Sequence, residues 1–453
     1  MVNNLQANTV CLISLGCAKN LVNSEQMLFL LKDAGFEIVS DPERADAAIV
    51  NTCGFIESAK SEAIEHILEM AELKKHGGLK KLIVCGCLAE RYKDEILDEL
   101  PEIDAVLGVG SYENIVAAVS SALGGETVSK FGDKNAACDD IDRIISTSAE
   151  GYAYLKIAEG CDNHCSFCVI PSIRGKYRSR PLESLIAEAE KLAESGVKEL
   201  IVIAQDITRY GTDLYGKHRL AELLTELSKL PFSWIRLHYL YPDAIDDELI
   251  GVIASQDKIL KYLDIPIQHI DDTVLRRMGR RGTGVEIRTL FKKLRERLPG
   301  LVIRTSIMVG HPGEGGAEFD TLCDFLRDAK IERAGVFVFS PEEGTRAADM
   351  PDRCDADTAQ RRAELIMDIQ TKVMDDFSGA QVGKTLKILA AGFDKENGLM
   401  YGRSYADSPD VDGRVYFTPP CAIGEMTDVI IESASDGDLF GIAAATKSQE
   451  MNG

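Results

Sequence analysis

Short apolar runs alternating with amphipathic stretches dominate the first quarter of the chain. VCLISLGC, DAAIVNTC and KKLIVCGC are apolar runs that close on cysteine or glycine, and SEQMLFLLKDAGF and SAKSEAIEHILEMAELKKH between them carry apolar residues at helical spacing. Strands followed by covering helices predict a parallel α/β domain over residues 8–125. Across 126–148 the apolar period weakens and charge rises, as in a linker.

From 149 to 375 the alternation resumes over a longer span. YAYLKIAEG, KELIVIAQD, SWIRLHYL, ILKYLDIPIQH, LVIRTSIMVG and AGVFVFS read as strands. PLESLIAEAEKLAESG, RLAELLTELSKL, AIDDELIGVIASQ, GVEIRTLFKKLRERLPG and EFDTLCDFLRDAK read as the helices between them. Six strands predict an open, partial (β/α) TIM-like barrel with functional residues at the strand carboxyl ends. Over 377–446, VGKTLKILAAGF, LMYGRSYA, GRVYFTP and MTDVIIESASDGDLFGIAA alternate with glycine and proline turns, the pattern of a small antiparallel β-barrel. The fold class is therefore α/β and multidomain.

Length agrees, because 453 residues exceed what one hydrophobic core usually supports. No run reaches the eighteen or so apolar residues of a membrane span. The opening MVNNLQANTVCLISLGC lacks the basic start and long apolar run of a secretory leader. Together with twelve cysteines, this predicts a reducing, cytoplasmic setting and no membrane partner. A formal net charge of -22 argues against a broad phosphate-binding surface and favours a basic protein as partner.

The run EGCDNHCSFCVIPSIRGKYRSRP places Cys161, Cys165 and Cys168 in a C-x3-C-x2-C array. Three such thiolates can hold three irons of a [4Fe-4S] cube, leaving the fourth open to a substrate or cofactor. A zinc knuckle or a set of buried thiols is the bland alternative. Upstream, Cys17, Cys53 and Cys87 fall near strand ends while Cys11 and Cys85 lie within the apolar runs. Strand alternation turns Cys85 and Cys87 to one face. Spacing alone does not choose among these five.

Other strand ends carry Gln205, Asp206, Arg209 and Tyr210 in AQDITRYG, and Gln268 and His269 in IPIQH. His238 and His269 read equally well as packed, hydrogen-bonded residues, and His164 need not ligate anything. TSIMVGHPGE ends in a glycine-rich turn at Gly310 that permits close backbone approach to a ligand. Phe167, Gln205, Gln268, Arg304 and Gly310 are the candidate cofactor contacts. The basic patch Arg174, Lys176, Arg178 and Arg180 either lines a cofactor carboxylate or solvates a loop.

With Phe167 just before its last cysteine, the triad resembles the signature of radical S-adenosylmethionine enzymes. Together with SLGCAKN, NTCGF and CGC, it makes nearly the whole chain similar to the methylthiotransferase family. The resemblance implies that the amino and carboxylate groups of S-adenosyl-L-methionine chelate the open iron held by Cys161, Cys165 and Cys168. It implies a second, auxiliary [4Fe-4S] cluster on Cys17, Cys53 and Cys87, and a TRAM module at the end. GCAKNLVNSE, AQDITRYG, CVIPSIRGKYRSRP, SPEEGT and YADSPDVDG resemble the ribosomal-protein branch more than the branch acting on isopentenyl-adenosine of tRNA.

The activity implied is β-methylthiolation of an aspartate in small-subunit ribosomal protein twelve, free or in the ribosomal subunit. Two S-adenosylmethionine molecules are implied. One methylates sulfur at the auxiliary cluster. The other is split to a 5'-deoxyadenosyl radical by an electron from a flavodoxin- or ferredoxin-like donor. A tRNA methylthiotransferase is the alternative. Against it, Asp407, Asp410, Asp412, Asp428, Glu432, Asp436 and Asp438 outweigh Arg403 and Arg414 in the terminal segment, so tRNA is not an expected partner. No coiled-coil segment is evident, and a monomer is expected. Asn23 stands where the family often has Asp, and His311 where it often has Phe.

Overall fold

The computed structural model describes residues 8–444 except 94, 139 and 419. Residues 1–7, where the leader reading begins, and 445–446, the end of the expected terminal barrel, lie outside them. The chain divides into two compact units. One comprises Met1–Ser146, Ala158–Arg180 and Glu342–Thr345; the other comprises Thr147–Ile157, Pro181–Pro341 and Arg346–Gly453.

In the first unit the chain runs β1 (Thr9–Ser14), α1 (Ala18–Asp33), β2 (Glu37–Ile38), β3 (Ala47–Thr52), α2 (Glu57–His76) and β4 (Lys81–Gly86). It continues through α3 (Cys87–Tyr92), α4 (Glu95–Glu99), β5 (Ala105–Leu107), α5 (Ile115–Leu123) and β6 (Val128–Lys130). The sheet is parallel, in the order β2-β1-β3-β4-β5-β6. Successive residues of its central strands feed opposite cores, as the two-residue strand period requires. Val10, Ile49, Ile83 and Cys85 pack with Met27 and Leu31 of α1 and Ile115 and Val119 of α5. Cys11, Val50, Leu82 and Val84 pack with Ala63, Ile67 and Met70 of α2.

Strands β2 and β5 add to the three expected here, and two further features depart from the sequence expectation. The stretch expected to be a linker begins with β6, a sixth strand paired to β5. Helix α1 starts directly after Cys17, six residues before the expected SEQ, because its first two turns bury Lys19, Asn20, Asn23, Ser24 and Glu25. A polar buried face erases the apolar period on which the reading relied.

After β7 (Tyr152–Lys156), the first unit regains β8 (Ala158–Glu159), α6 (Ile170–Arg174) and β9 (Arg178–Ser179). Val169 and Ile173 pack into the same core as Met27 and Leu31.

The second unit combines β7 with α7 (Leu182–Glu194), β10 (Glu199–Ile203), α8 (Leu220–Leu227), β11 (Trp234–Leu237), α9 (Asp247–Ser255) and β12 (Ile259–Asp264). Then come α10 (Asp272–Arg277), α11 (Gly284–Arg297), β13 (Val302–Val309), α12 (Gly316–Ala329) and β14 (Arg333–Val338). The six strands are parallel and follow chain order, β14-β13-β12-β11-β10-β7, so the barrel is open. A 24-residue helix that the sequence reading did not identify, α13 (Ala356–Gly379), follows; Asp355 caps it by accepting the Thr358 N–H.

The terminal module is a closed barrel of β15 (Thr385–Asp394), β16 (Leu399–Arg403), β17 (Val415–Thr418), β18 (Met426–Ser435) and β19 (Asp438–Ala443). All its pairings are antiparallel except β17 with β19, because β18 crosses to β15 before β19 returns beside β17.

Charged side chains on the six-stranded sheet hold the 403–412 segment of this module. Glu199 accepts from Arg236 and from Arg403, each at 2.6 Å. Arg333 reaches Asp407 at 2.7 Å, Tyr262 donates to Asp412 at 2.6 Å, and His238 Nε2 lies 3.0 Å from Ser408 Oγ. The acidic-surface reading is corrected here, since the Asp407 and Asp412 side chains are buried in these contacts and Arg403 is buried with them. Asp410, Asp428, Glu432 and Asp436 remain exposed, as does Arg414.

Candidate active site

Three adjacent strands, β1, β3 and β4, each hand the chain to a cysteine at the carboxyl edge. Cys17 follows β1 and stands at the N-terminus of α1, Cys53 follows β3, and Cys87 opens α3. Glycines let the three loops close on one another. A Cβ on Gly16, whose φ is +84°, would lie 2.6 Å from Cys53 Cβ. One on Gly54 would lie 2.9 Å from Leu88 Cα, and one on Gly86 (φ +96°) would lie 2.4 Å from Asn51 Oδ1. Polar side chains pin the edge: Asn20 donates to Leu15 O and Thr52 O, and Asn51 donates to Asn20 O and Ser24 Oγ.

The electrostatics of the three thiols differ. Burial raises the Cys17 thiol, but Lys19, Arg174 and the backbone N–H groups of Asn20 and Lys19 outweigh it, leaving the thiol below its ordinary value. Cys53 is pushed up to about 11 by burial and then by Cys87. Burial also raises Cys87, against the pull of Arg174. Cys85 points into the core beside Met27, and Cys11 lies in the opposite core.

Arg174 is the residue whose place the sequence reading did not resolve. Instead of solvating a loop, its side chain is 1% exposed. Nη2 donates to Cys87 Sγ at 3.3 Å and to Asn20 Oδ1 at 3.0 Å; Nη1 donates to Glu159 at 3.0 Å and to Asn23 Oδ1 at 3.4 Å. The rest of the patch is dispersed: Lys176 is exposed, Arg178 donates to backbone oxygens, and Arg180 pairs with Asp140.

Cys161, Cys165 and Cys168 lie in the loop between β8 and α6. The loop is shaped by the Asn163 N–H donating to Cys161 Sγ at 3.4 Å, the Cys161 N–H to Gly175 O at 3.2 Å and the Cys168 N–H to Cys165 O at 3.2 Å. Phe167 is half-buried and His164 exposed. Among the described residues, no three His, Cys, Asp or Glu side chains gather as they would around a single metal ion. In a cube each thiolate binds a different iron. Soft thiolate donors, a helix N-terminus and a buried guanidinium suit a negatively charged iron–sulfur cluster at Cys17, Cys53 and Cys87.

A further contact at this edge comes from the SPEEGT segment. Glu342 accepts from the Glu57 N–H at 2.9 Å and pairs with Arg91 at 3.1 Å, and Arg91 donates to Gly54 O at 2.9 Å, next to Cys53.

In the second unit Gln205 and Asp206 follow β10, where Asp206 caps a turn through the Thr208 N–H. Gln268 follows β12 with a φ of +70°, and its backbone bonds Ser306 O and the Met308 N–H on β13. A non-glycine residue held in the left-handed region at a strand end marks a strained, over-determined position. Arg304 lies within β13 rather than at its end and pairs with Asp264 at 2.9 Å.

The close approach expected at Gly310 is to protein, since a Cβ there would meet Ala359 of α13 at 2.8 Å. Glu314 accepts from the Gly310 N–H and from Arg362 and lies 3.4 Å from His269. Burial lowers His311 to about 4, so it is neutral at pH 7. The pairing of Glu314 with Arg362 and His269 went unread because residues distant along the chain meet it only by tertiary packing.

Family models match in three blocks: uncharacterized protein family UPF0004 over residues 9–108, the radical SAM superfamily over 155–326 and the TRAM domain over 382–443. The ribosomal protein uS12 methylthiotransferase RimO of Lachnoclostridium phytofermentans is 48% identical over 434 residues, covering 95% of this chain and 99% of its own. Its counterpart in Caldanaerobacter subterraneus is 49% identical over 436 residues, with the same two coverages. The chain belongs to the uS12 methylthiotransferase family.

The cysteine-bearing edge of this methylthiotransferase thus falls in the UPF0004 block, and the second triad in the radical SAM block. Among solved structures, the radical S-adenosylmethionine methyltransferase TsrM of Kitasatospora setae, with cobalamin and a [4Fe-4S] cluster bound, is similar at a TM-score of 0.56. It is 16% identical, covering 75% of this chain and 77% of its own. The cobalamin-dependent radical enzyme OxsB is similar at 0.52 and 12% identity, covering 80% and 56%. At these identities the likeness concerns the methylthiotransferase's fold alone.

Proposed function

We propose that this radical S-adenosylmethionine methylthiotransferase adds a methylthio group to the β-carbon of an aspartate in ribosomal protein uS12. The observation that carries the reading is that both cysteine triads belong to one compact unit of a chain 48% identical to a uS12 methylthiotransferase over nearly its full length. Cys161, Cys165 and Cys168 would hold one [4Fe-4S] cluster, and Cys17, Cys53 and Cys87 the auxiliary one.

When bound, these clusters supply the electron for reductive cleavage of S-adenosylmethionine and the site of sulfur delivery, chemistry beyond the reach of side chains. The chain's own groups position and insulate. Helix α1 directs its N-terminal N–H groups at Cys17, Arg174 offsets negative charge at Cys87, and the Asn163 N–H steadies Cys161. Phe167, Gln205 and Gln268 are proposed as cofactor contacts, Gln268 through its strained strand-end backbone; Gly310, packed against Ala359, and Arg304, paired with Asp264, are proposed to shape the site from behind rather than to touch the cofactor. The electron donor is proposed to be flavodoxin- or ferredoxin-like, the enzyme a cytoplasmic monomer, and uS12 its acceptor either free or in the subunit. No helix among the described residues is long and apolar enough to cross a membrane.

The test is an anaerobic reaction of reconstituted enzyme with small ribosomal subunits, tRNA carrying isopentenyl-adenosine, sulfide, S-adenosylmethionine and dithionite as reductant in one tube. Methylthio-aspartate in uS12 with unmodified tRNA supports the reading. Methylthiolated adenosine with untouched uS12 overturns it in favour of the tRNA branch.

A further inference from the structure

Glu159 and Arg174 stand on either side of the Cys161–Cys168 loop in the chain, yet their side chains meet beneath Cys87. Glu159 precedes Cys161 by two residues, and Arg174 closes the short helix that follows Cys168. The guanidinium is almost fully enclosed. Of its contacts, one is the carboxylate of Glu159 at 3.0 Å and one the sulfur of Cys87 at 3.3 Å; Asn20 and Asn23 take the remaining two. Neither charge is spent on surface solvation, and a buried arginine needs a partner that repays its desolvation. Glu159 alone would serve. The additional N–H···S contact is directed at one thiol of the auxiliary triad.

We propose that Arg174 is a positioning residue that sets the reduction potential of the cluster held by Cys17, Cys53 and Cys87, with Glu159 fixing and partly offsetting its charge. The proposal rests on the ligand assignment made above. Net charge and hydrogen bonds to ligand sulfur are the levers by which a protein tunes an iron–sulfur potential. A cation donating to ligand sulfur favours the reduced form, and a carboxylate behind it pulls the other way. The two residues also tie the loop that carries the first triad to a ligand of the second. Charge changes at Arg174 and at Glu159 therefore act with opposite sign on the same cluster.

The experiment uses the full chain with Cys161, Cys165 and Cys168 replaced by alanine, so that the auxiliary cluster alone is reconstituted. Its potential is followed by a redox titration monitored by electron paramagnetic resonance. In that background Arg174→Met is expected to lower the midpoint potential, Arg174→Lys to recover part of the shift, and Glu159→Gln to raise it.

A merely structural role would not produce opposite signs. Unchanged potentials with normal iron content, or shifts of the same sign in Arg174→Met and Glu159→Gln, overturn the proposal. If Arg174→Met fails to retain iron, Glu159→Gln decides, and a potential at or below the background value refutes the link. Absence of iron from the background protein itself refutes the ligand assignment, and the tuning role falls with it.

Discussion

Arg403 of the terminal barrel donates from Nη1 to Glu199 on β10 at 2.6 Å, and both side chains are buried. Glu199 also accepts from Arg236 at 2.6 Å, and Arg236 in turn donates to the backbone oxygens of Ser404 and Tyr405. The terminal module is thereby anchored on the charged face of the six-stranded sheet.

Arg403→Met removes one of the two cations from a carboxylate with no access to water. Taking one partner from a buried ion pair costs several kcal/mol, and because Arg236 remains, a loss near the lower end, about 3 kcal/mol, is expected. Denaturant unfolding checks it. A change within experimental error would mean that Arg403 contributes no net stability.

Asp104 accepts from Lys81 at 2.7 Å, from Lys74 and from the Leu82 N–H. Burial raises its carboxyl, but these donors prevail and hold it below the usual carboxylate range. A group depressed in the folded state stabilises above its unfolded pKa of about 4 and loses that contribution as pH falls through the folded value. Asp104→Asn is expected to cost about 1 kcal/mol at neutral pH. It should also flatten the loss of stability below pH 4, as measured by unfolding at a series of pH values.

Gly16→Ala would force a Cβ to within 2.6 Å of Cys53 Cβ at a φ of +84°. The loop must shift, and the auxiliary triad opens. Reconstituted protein should fall from about eight irons to about four per chain, with the spectrum of the Cys161, Cys165 and Cys168 cluster preserved. Full iron loading would show that the close packing at Gly16 is dispensable.

The two triads are expected to be separable by substitution. Cys165→Ala should abolish deoxyadenosine formation from S-adenosylmethionine while leaving the auxiliary cluster intact. Cys53→Ala should permit that cleavage yet prevent methylthiolation. Iron content and deoxyadenosine release in each variant decide it, and loss of both clusters in either one would show interdependence.

Much of this protein is determined locally and is therefore readable without coordinates. The C-x3-C-x2-C array is contiguous, so its spacing is its geometry, and the inner strands β3, β4, β10 and β11 of the two parallel sheets are buried runs that stand out from the helices between them. Six strands in chain order gave the open barrel, and glycine and proline turns gave the terminal one.

What the sequence did not carry depends on partners distant along the chain. Cys17, Cys53 and Cys87 were legible as strand-end residues of one parallel sheet, but that their strands are neighbours follows from the order β1-β3-β4, which no spacing encodes. The start of α1 was hidden because its first buried face is polar. Asp407 and Arg403 look like surface charge in the sequence, and Arg174 stays open between a cofactor contact and a solvated loop, because charged side chains normally stay in water and only the tertiary structure supplies the buried partners that repay their desolvation.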